Sequence, residues 1–437
     1  MLADNKAMNS IEKSIFDIID ANADKIIAFG KSIRPEEGFH EADTSCKIAS
    51  ELENLGLPVE RGLAVTGVRA TLGKAAPCVA ILAELDGIYC PNHSSADKAT
   101  GISHACAHSA QLAAMLGSAI ALTSIYNTNE LCGSIAFFAV PAEEYLSEKT
   151  RIYAKSLGVQ FMSGKSELIR IGEFDNIDIA IASHAHMVKS DADILLGLNA
   201  SCGYTTRHVI IHGKSAHAAA APWDGINALS AATLALSAIG LLRETFNEKD
   251  CVRIHTNILN GGNAVNVVPD TVVIEAMIRA KNLDAINAAA DKFDNAMRHC
   301  ALAIGAKAQI EKLCGYMPVP EYMPNEATLS AAKCLSGNIK TIDSATINFA
   351  STDLGDLSAI MPILTCTHGG ISGALHSAEF TITDDYKAYV APAKLMALEA
   401  YHLLRNDAKL AHKVIQNYNA PMNKAQYINT VEANGDG

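Results

Sequence analysis

Three short runs, 78–85, 132–140 and 177–183, are apolar at almost every position. A strand with one wet face alternates apolar and polar residues, and a strand covered on both faces does not. These runs therefore predict strands buried on both sides. The covers are predicted by helical apolar spacing at 10–30 (Ile11, Ile15, Ile18, Ile19, Ile26, Ile27), at 42–55 ending near Gly56, and at 108–126, while 59–72 alternates like a strand pair. Strands alternating with helices predict an α/β catalytic domain with a mostly parallel sheet covered by helices.

The pattern changes near residue 200. Strand-like 206–212, helical 224–244, strand-like 252–259 and 271–279, helical 283–304 and strand-like 307–314 follow one another. That β-α-β-β-α-β order predicts a small α+β split-βαβ sandwich. The larger pattern resumes near 320 and ends in a helix near 385–405. A chain of 437 residues exceeds one compact core. The expected organisation is a catalytic domain in two parts, 1–200 and 316–437, with a lid or dimerisation domain inserted at 201–315.

The net charge of −12 argues against nucleic acid or an anionic membrane as the main partner, since either requires a basic face. The most apolar stretch, 112–125, is interrupted by Gly117, Ser118, Thr123 and Ser124 and falls short of the ~20 apolar residues that cross a bilayer. Residues 1–13 show no basic-then-apolar secretory pattern. Eleven cysteines without a CxxC pair predict reduced thiols and a cytoplasmic protein.

Open α/β sheets place their sites beyond the carboxyl ends of parallel strands. Asp86 follows the first apolar run, Glu143 and Glu144 follow the second, and His184 follows the third. Cys106 and His108 lie where a loop enters a helix, and His376 lies in a late loop, so all of these are placed to converge on one sheet edge. Sulfur, nitrogen and oxygen donors together suit a transition metal, and a second carboxylate beside a ligand suits activation of water.

The chain resembles the aminoacylase and glutamate-carboxypeptidase type of dinuclear metallo-amidohydrolases, in particular the branch with aminobenzoyl-glutamate hydrolases and auxin-conjugate hydrolases. The segments that carry the resemblance are RPEEGFHEADTS (34–45), ILAELDGI (81–88), SHACAHS (103–109), VPAEE (140–144), DIAIASHAH (178–186), GKSAHAAAAPWDGINAL (213–229), NGGNAVNVVPD (260–270), STDLGD (351–356) and GALHSAEF (373–380). The resemblance implies two divalent metal ions, zinc or manganese with cobalt or nickel as further options. Cys106 is implied as the bridging ligand, and His108, Glu144, His184 and His376 as the others. Glu143 is implied as the general base, with Asp86 orienting His108 from behind. On the lid, His217 is implied to stabilise the oxyanion, in the partner subunit's site, which makes a homodimer the expected assembly. Asn266 and Arg279 are implied to bind the substrate's carboxylate.

Four departures from the family pattern stand out. Ala107 replaces a glycine, Ser109 an acid or amide, Asp86-Gly87-Ile88-Tyr89 the usual DALP, and Ala185 the proline that usually follows the histidine at 184. His186 rivals His184, His368 rivals His376, and Arg253 is an alternative to Arg279. The expected activity is hydrolysis of the amide bond of N-acyl amino acids, aminobenzoyl-amino acid conjugates or dipeptides. The alternatives are a metallo-carboxypeptidase acting on longer peptides and a non-catalytic relative that binds a carboxylate ligand.

Overall fold

The structure, a computed structural model, describes residues 8–126, 131–187, 189–313, 315–343 and 348–435. The chain divides into two units. One holds the residues up to Asn199 together with Pro320–Asn348 and Asp356–Lys424; the other holds Ala200–Val319, Phe349–Gly355 and the residues from Ala425 on.

The first unit is built on an eight-stranded sheet in the order Val59–Leu63, Gly67–Leu72, Ser134–Val140, Cys78–Glu84, Ile179–Ala185, Ile363–His368, Ile194–Leu196, Ile339–Thr341. Its four central strands, Ser134–Val140 to Ile363–His368, are mutually parallel. The pairings at Val59–Leu63, Gly67–Leu72 and Ile194–Leu196 introduce antiparallel neighbours at the flanks. Every residue of Cys78–Glu84 and of Ser134–Val140 is buried, which is the condition that suppresses alternation in their sequences. In register, Glu84 stands beside Val140 and His184 beside Thr367, so the carboxyl ends of these strands lie level.

The helix His108–Tyr126 is apolar on all sides because nearly all of it is core. It is long and apolar enough to cross a membrane by length and composition, and 83% of its most apolar window is buried inside the protein.

Some elements differ from expectation in their limits. The periodic stretch 10–30 forms two helices, Ser10–Ala21 and Ala23–Ser32. At the junction the Asn22 side chain donates to Ile18 O at 2.8 Å, competing locally with the backbone ladder. The helix expected from 224 starts at Ala228, because Asn227 caps it by accepting from Ser230 N. The last long helix is Ala391–Asn417, interrupted by non-helical backbone at Arg405 to Ala408.

The second unit is a four-stranded antiparallel sheet in the order Arg253–Asn260, Thr271–Ala280, Gly203–His212, Lys307–Leu313. The expected end of the last strand at Cys314 lies outside the described residues. Alternate residues of Thr271–Ala280 are buried, and Val272, Ile274 and Ala276 share a core with Ala231, Ala235, Phe293 and Met297 from the helices Ala228–Leu241 and Leu283–Ala303.

Candidate metal centre

The sheet's strand ends deliver the donor side chains of the first unit to one place. Cys106 Sγ lies 3.4 Å from His184 Nε2 and 3.2 Å from His376 Nε2. His376 Nε2 is 3.3 Å from Glu144 Oε1. His108 Nε2 is 3.9 Å from Glu143 Oε2 and 4.0 Å from Glu144 Oε1. Three triads in this cluster have donor atoms within 4.8 Å of one another: Cys106–His108–His184, Cys106–Glu144–His376 and Glu84–His108–Glu143. Cys106 belongs to two of them. The cluster is buried on the His108 side, whereas the His376 side chain is 48% exposed, so it opens to solvent there.

The donor set fits a pair of transition-metal ions. His108 Nε2 and Glu144 Oε1 are buried without a directed hydrogen bond, a costly state that a cation relieves. Burial pushes the Cys106 thiol well up, and Glu144 and Glu143 add to that push while His108 opposes it. A divalent ion reverses this preference, because a coordinating thiol gives up its proton. Burial disfavours a charged ring at His108, but Glu84, Cys106 and Asp86 together raise its pKa well above the usual histidine range. Burial disfavours the Glu144 carboxylate, but His376 and His108 hold its pKa below the ordinary value.

Asp86 touches both halves of the cluster. Its Oδ1 faces His108 Nδ1 at 3.1 Å, its backbone carbonyl faces the same nitrogen at 2.9 Å, and its Oδ2 accepts from Glu144 N at 2.8 Å. Burial raises the Asp86 pKa, with Glu144 adding to it and His108 opposing it.

Several residues that shape the centre went unread in the sequence. Glu41 Oε1 accepts from Ala142 N at 2.8 Å and its Oε2 accepts from Thr66 Oγ1 at 2.6 Å, which fixes the loop that carries Glu143 and Glu144. Burial, with Asp86 nearby, pushes Glu41 up to about 8. A side chain at Gly164 would run into Pro141 O and one at Gly38 into Ala142, so close backbone approach seats this loop from both sides. Glu84 accepts from Lys165 Nζ at 2.6 Å and from Gln111 Nε2 at 2.8 Å. Its position two residues before Asp86 on an extended chain was a usable signal, since residues i and i+2 share a face.

The rival histidines lie outside these triads. His186 is engaged at both ring nitrogens, with Thr367 Oγ1 at 2.7 Å and Ala192 O at 2.8 Å. His368 is fully buried with Nδ1 3.0 Å from Gly369 O.

The second unit carries the remaining candidates. His217 Nδ1 accepts from the N–H groups of Ala219 and Ala220 at 3.2 and 3.1 Å. That leaves the proton of the neutral ring on Nε2, as an outward donor. His217 bridges Val267, and Ala218 N–H donates to Asn266 O at 3.0 Å, so the His217 and Asn266 loops adjoin. Arg279 Nη1 donates to Ser351 Oγ at 2.9 Å, and its guanidinium lies 5.3 Å from the centroid of the Tyr204 ring. Arg279 is near the end of Thr271–Ala280, whereas Asn266 precedes its start. The intervening strand spans about 26 Å at ~3.3 Å per residue. The structure therefore does not bring Asn266 and Arg279 of one copy to the same point. Arg253 pairs with Arg279 across the sheet, and its guanidinium lies over the Phe349 ring.

Fold and donor set define a two-unit α/β protein with a cluster of sulfur, nitrogen and oxygen donors that could hold metal ions. Residues 199–303 match the peptidase dimerisation domain of the M20 family. The Xaa-Arg dipeptidase of Mus musculus is 27% identical over 390 residues, 86% of this chain and 81% of that protein. The N-acetyl-L-cysteine deacetylase of Bacillus subtilis is 27% identical over 65% of this chain and 66% of its own. A solved dinuclear metal-binding M20 peptidase from Bacillus subtilis superposes with a TM-score of 0.61 at 22% identity, over 88% of this chain and 99% of that one, and shows the shared fold. The chain thus carries a segment similar to the M20 peptidase dimerisation domain, and the relatives it resembles along most of its length are amidohydrolases and peptidases.

Proposed function

We propose that the protein is a metal-dependent amidohydrolase that frees an amino acid from an N-acyl amino acid, an aminobenzoyl-type conjugate or a dipeptide. The observation that carries this reading is the convergence of Cys106 Sγ with His184 Nε2 at 3.4 Å and with His376 Nε2 at 3.2 Å. Its relatives support the class of bond, since a dipeptidase and a deacetylase both cleave amides.

Cys106, His108 and His184 would hold one divalent ion, and Cys106, Glu144 and His376 the other. Thiolate and imidazole favour zinc, cobalt or nickel, and the carboxylate also admits manganese. Such a pair supplies Lewis acidity that polarises an amide carbonyl and acidifies a water. Glu143 takes the proton from the attacking water and returns it to the leaving amine. Asp86, accepting from His108 Nδ1, keeps Nε2 of that ring turned to the cluster.

Residues 201–315 act as lid and dimerisation domain in a homodimer, inserted between catalytic parts 1–200 and 316–437. The Nε2–H of His217 serves the partner subunit's site, where it meets charge growing on the carbonyl oxygen. Arg279 and Asn266 hold the substrate's free carboxylate, and their separation within one copy means that each copy lends one of the pair. No disulfide joins the cysteines among the described residues, which suits a reducing, cytoplasmic setting.

Glu143→Gln is the test. Turnover on a panel of N-acyl amino acids and dipeptides is expected to fall by about 10²–10⁴-fold with metal content unchanged. A variant with full activity removes Glu143 from the role of base.

A further inference from the structure

A further group of mixed donors lies where three helices of the first unit meet. Glu12 belongs to Ser10–Ala21, His402 belongs to Ala391–Asn417, and Cys334 follows Glu326–Ala332 by two residues. One oxygen, one nitrogen and one sulfur of these residues lie within 4.8 Å of one another. None of the three belongs to the triads around Cys106, and all sit in the first unit. The Glu12 and His402 side chains are 8% and 2% exposed, whereas Cys334 is half-buried, so solvent reaches the group on the cysteine side.

The spacing is that of donors around an ion rather than that of a close ion pair. His402 Nε2 stands 3.5 Å from Glu12 Oε1, beyond the roughly 2.7–3.2 Å of an N–H···O bond. Nitrogen and oxygen donors bound tetrahedrally to one zinc, each about 2.0–2.2 Å from it, stand about 3.3–3.6 Å apart. The capping box aims the carboxylate. Glu12 Oε2 accepts from Asn9 N at 2.7 Å, which turns Oε1 toward His402. Arg405 Nη1 donates to Oε1 at 3.4 Å, a long contact that uses one of that oxygen's two lone pairs. Cys334 Sγ donates to Ser330 O at 3.6 Å, a weak bond that a coordinating thiolate gives up.

We propose that Glu12, Cys334 and His402 bind a divalent transition-metal ion, zinc by their donor chemistry, with water in the fourth position. The thiol proton passes to solvent, and thiolate and carboxylate together balance the charge of the ion. The ion ties Ser10–Ala21 and the chain at Cys334 to the last long helix. This site does not depend on the amidohydrolase reading, because it shares no donor with the Cys106 cluster.

The test is a zinc titration of the chelator-treated, reduced full-length protein, with alkylation of each cysteine by iodoacetamide followed by peptide mass spectrometry. Zinc at about ten times the dissociation constant of the site is expected to slow Cys334 alkylation about 10-fold by occupancy alone. The exposed Cys46 is expected to react at an unchanged rate. Zinc at the Cys106 cluster could also slow Cys334 by stabilising the fold, and Glu12→Gln separates the two causes. Glutamine keeps the capping box, leaves the Cys106 cluster whole and removes the anionic ligand. In this variant the protection of Cys334 is expected to be lost and bound zinc to fall by about one equivalent. Cys334→Ala, read by zinc content, is expected to lose the same equivalent and serves should Glu12→Gln fail to fold. Undiminished protection in folded Glu12→Gln, or unchanged zinc stoichiometry in either variant, overturns the proposal. Alkylation of wild-type Cys334 that zinc leaves unchanged overturns it as well.

Discussion

Ala107 shows how much one residue between two ligands can matter. It sits at φ +66°, in the left-handed region, between Cys106 and His108. The family pattern has glycine there, and the conformation supplies the reason. An L-residue in this region costs roughly 1–2 kcal/mol. Glycine relieves that strain but adds chain entropy of about 0.5–1 kcal/mol and loses a buried methyl worth roughly 0.8 kcal/mol. These terms nearly cancel, so Ala107→Gly is expected to leave the thermal midpoint of the metal-free protein nearly unchanged. A β-branched side chain has no such offset, and Ala107→Val is expected to cost about 2 kcal/mol or more and to weaken metal binding as Cys106 and His108 are pulled out of line. A valine variant as stable as the parent would show that the turn relaxes freely. His376 at φ +62° and Ala142 at φ +47° extend the same pattern of held backbone around the centre.

At the scale of elements, the parts of the fold legible in the sequence were those that a single period expresses. The uniformly apolar strands carry their burial in their composition, and the donors that follow them needed only the rule that parallel strands end together. The antiparallel strand Ile194–Leu196 of the same sheet left no comparable mark, because it is as buried as its parallel neighbours. Lys165 was illegible for a different reason. A lysine on a short helix reads as a solvated side chain, and only the tertiary approach of that helix to Pro141 takes it inside. His184 against His186 is also a matter of direction: the two are two residues apart, and only the partners that each ring meets distinguish them. The long final helix carries a comparable buried charge site in Glu399, fully buried and far up in pKa, at about 7, through burial, with Thr328 opposing. The raised value means that the folded state holds this proton more tightly than the unfolded chain. The associated stability is present below pH ~4.5 and is lost as pH rises through ~7, amounting to about 3 kcal/mol. Glu399→Gln is therefore expected to match the parent near pH 4.5 and to exceed it in denaturant midpoint at pH 8. An equal gain at both pH values would assign the effect to packing instead.

At the scale of the whole molecule, each unit has its own main hydrophobic core among the described residues. One is gathered around the helix His108–Tyr126 and the large sheet; the other lies between the four-stranded sheet and its two helices. All the metal-donor triads around Cys106 draw on the first unit. A ligand stabilises only the folding unit that binds it, by about 2.7 kcal/mol when it is present at 100 times its dissociation constant. Scanning calorimetry of the chelated protein is therefore expected to resolve a transition that zinc moves upward and one that zinc leaves in place, and chelator should return the first to its starting point. Glu143→Gln should keep the full zinc shift, because it removes a proton acceptor and leaves the assigned ligands intact. A zinc shift shared equally by every transition would mean that both units melt as one cooperative body. No shift at all would remove the metal from the first unit, and with it the reason for sulfur, nitrogen and oxygen donors to share one buried strand edge.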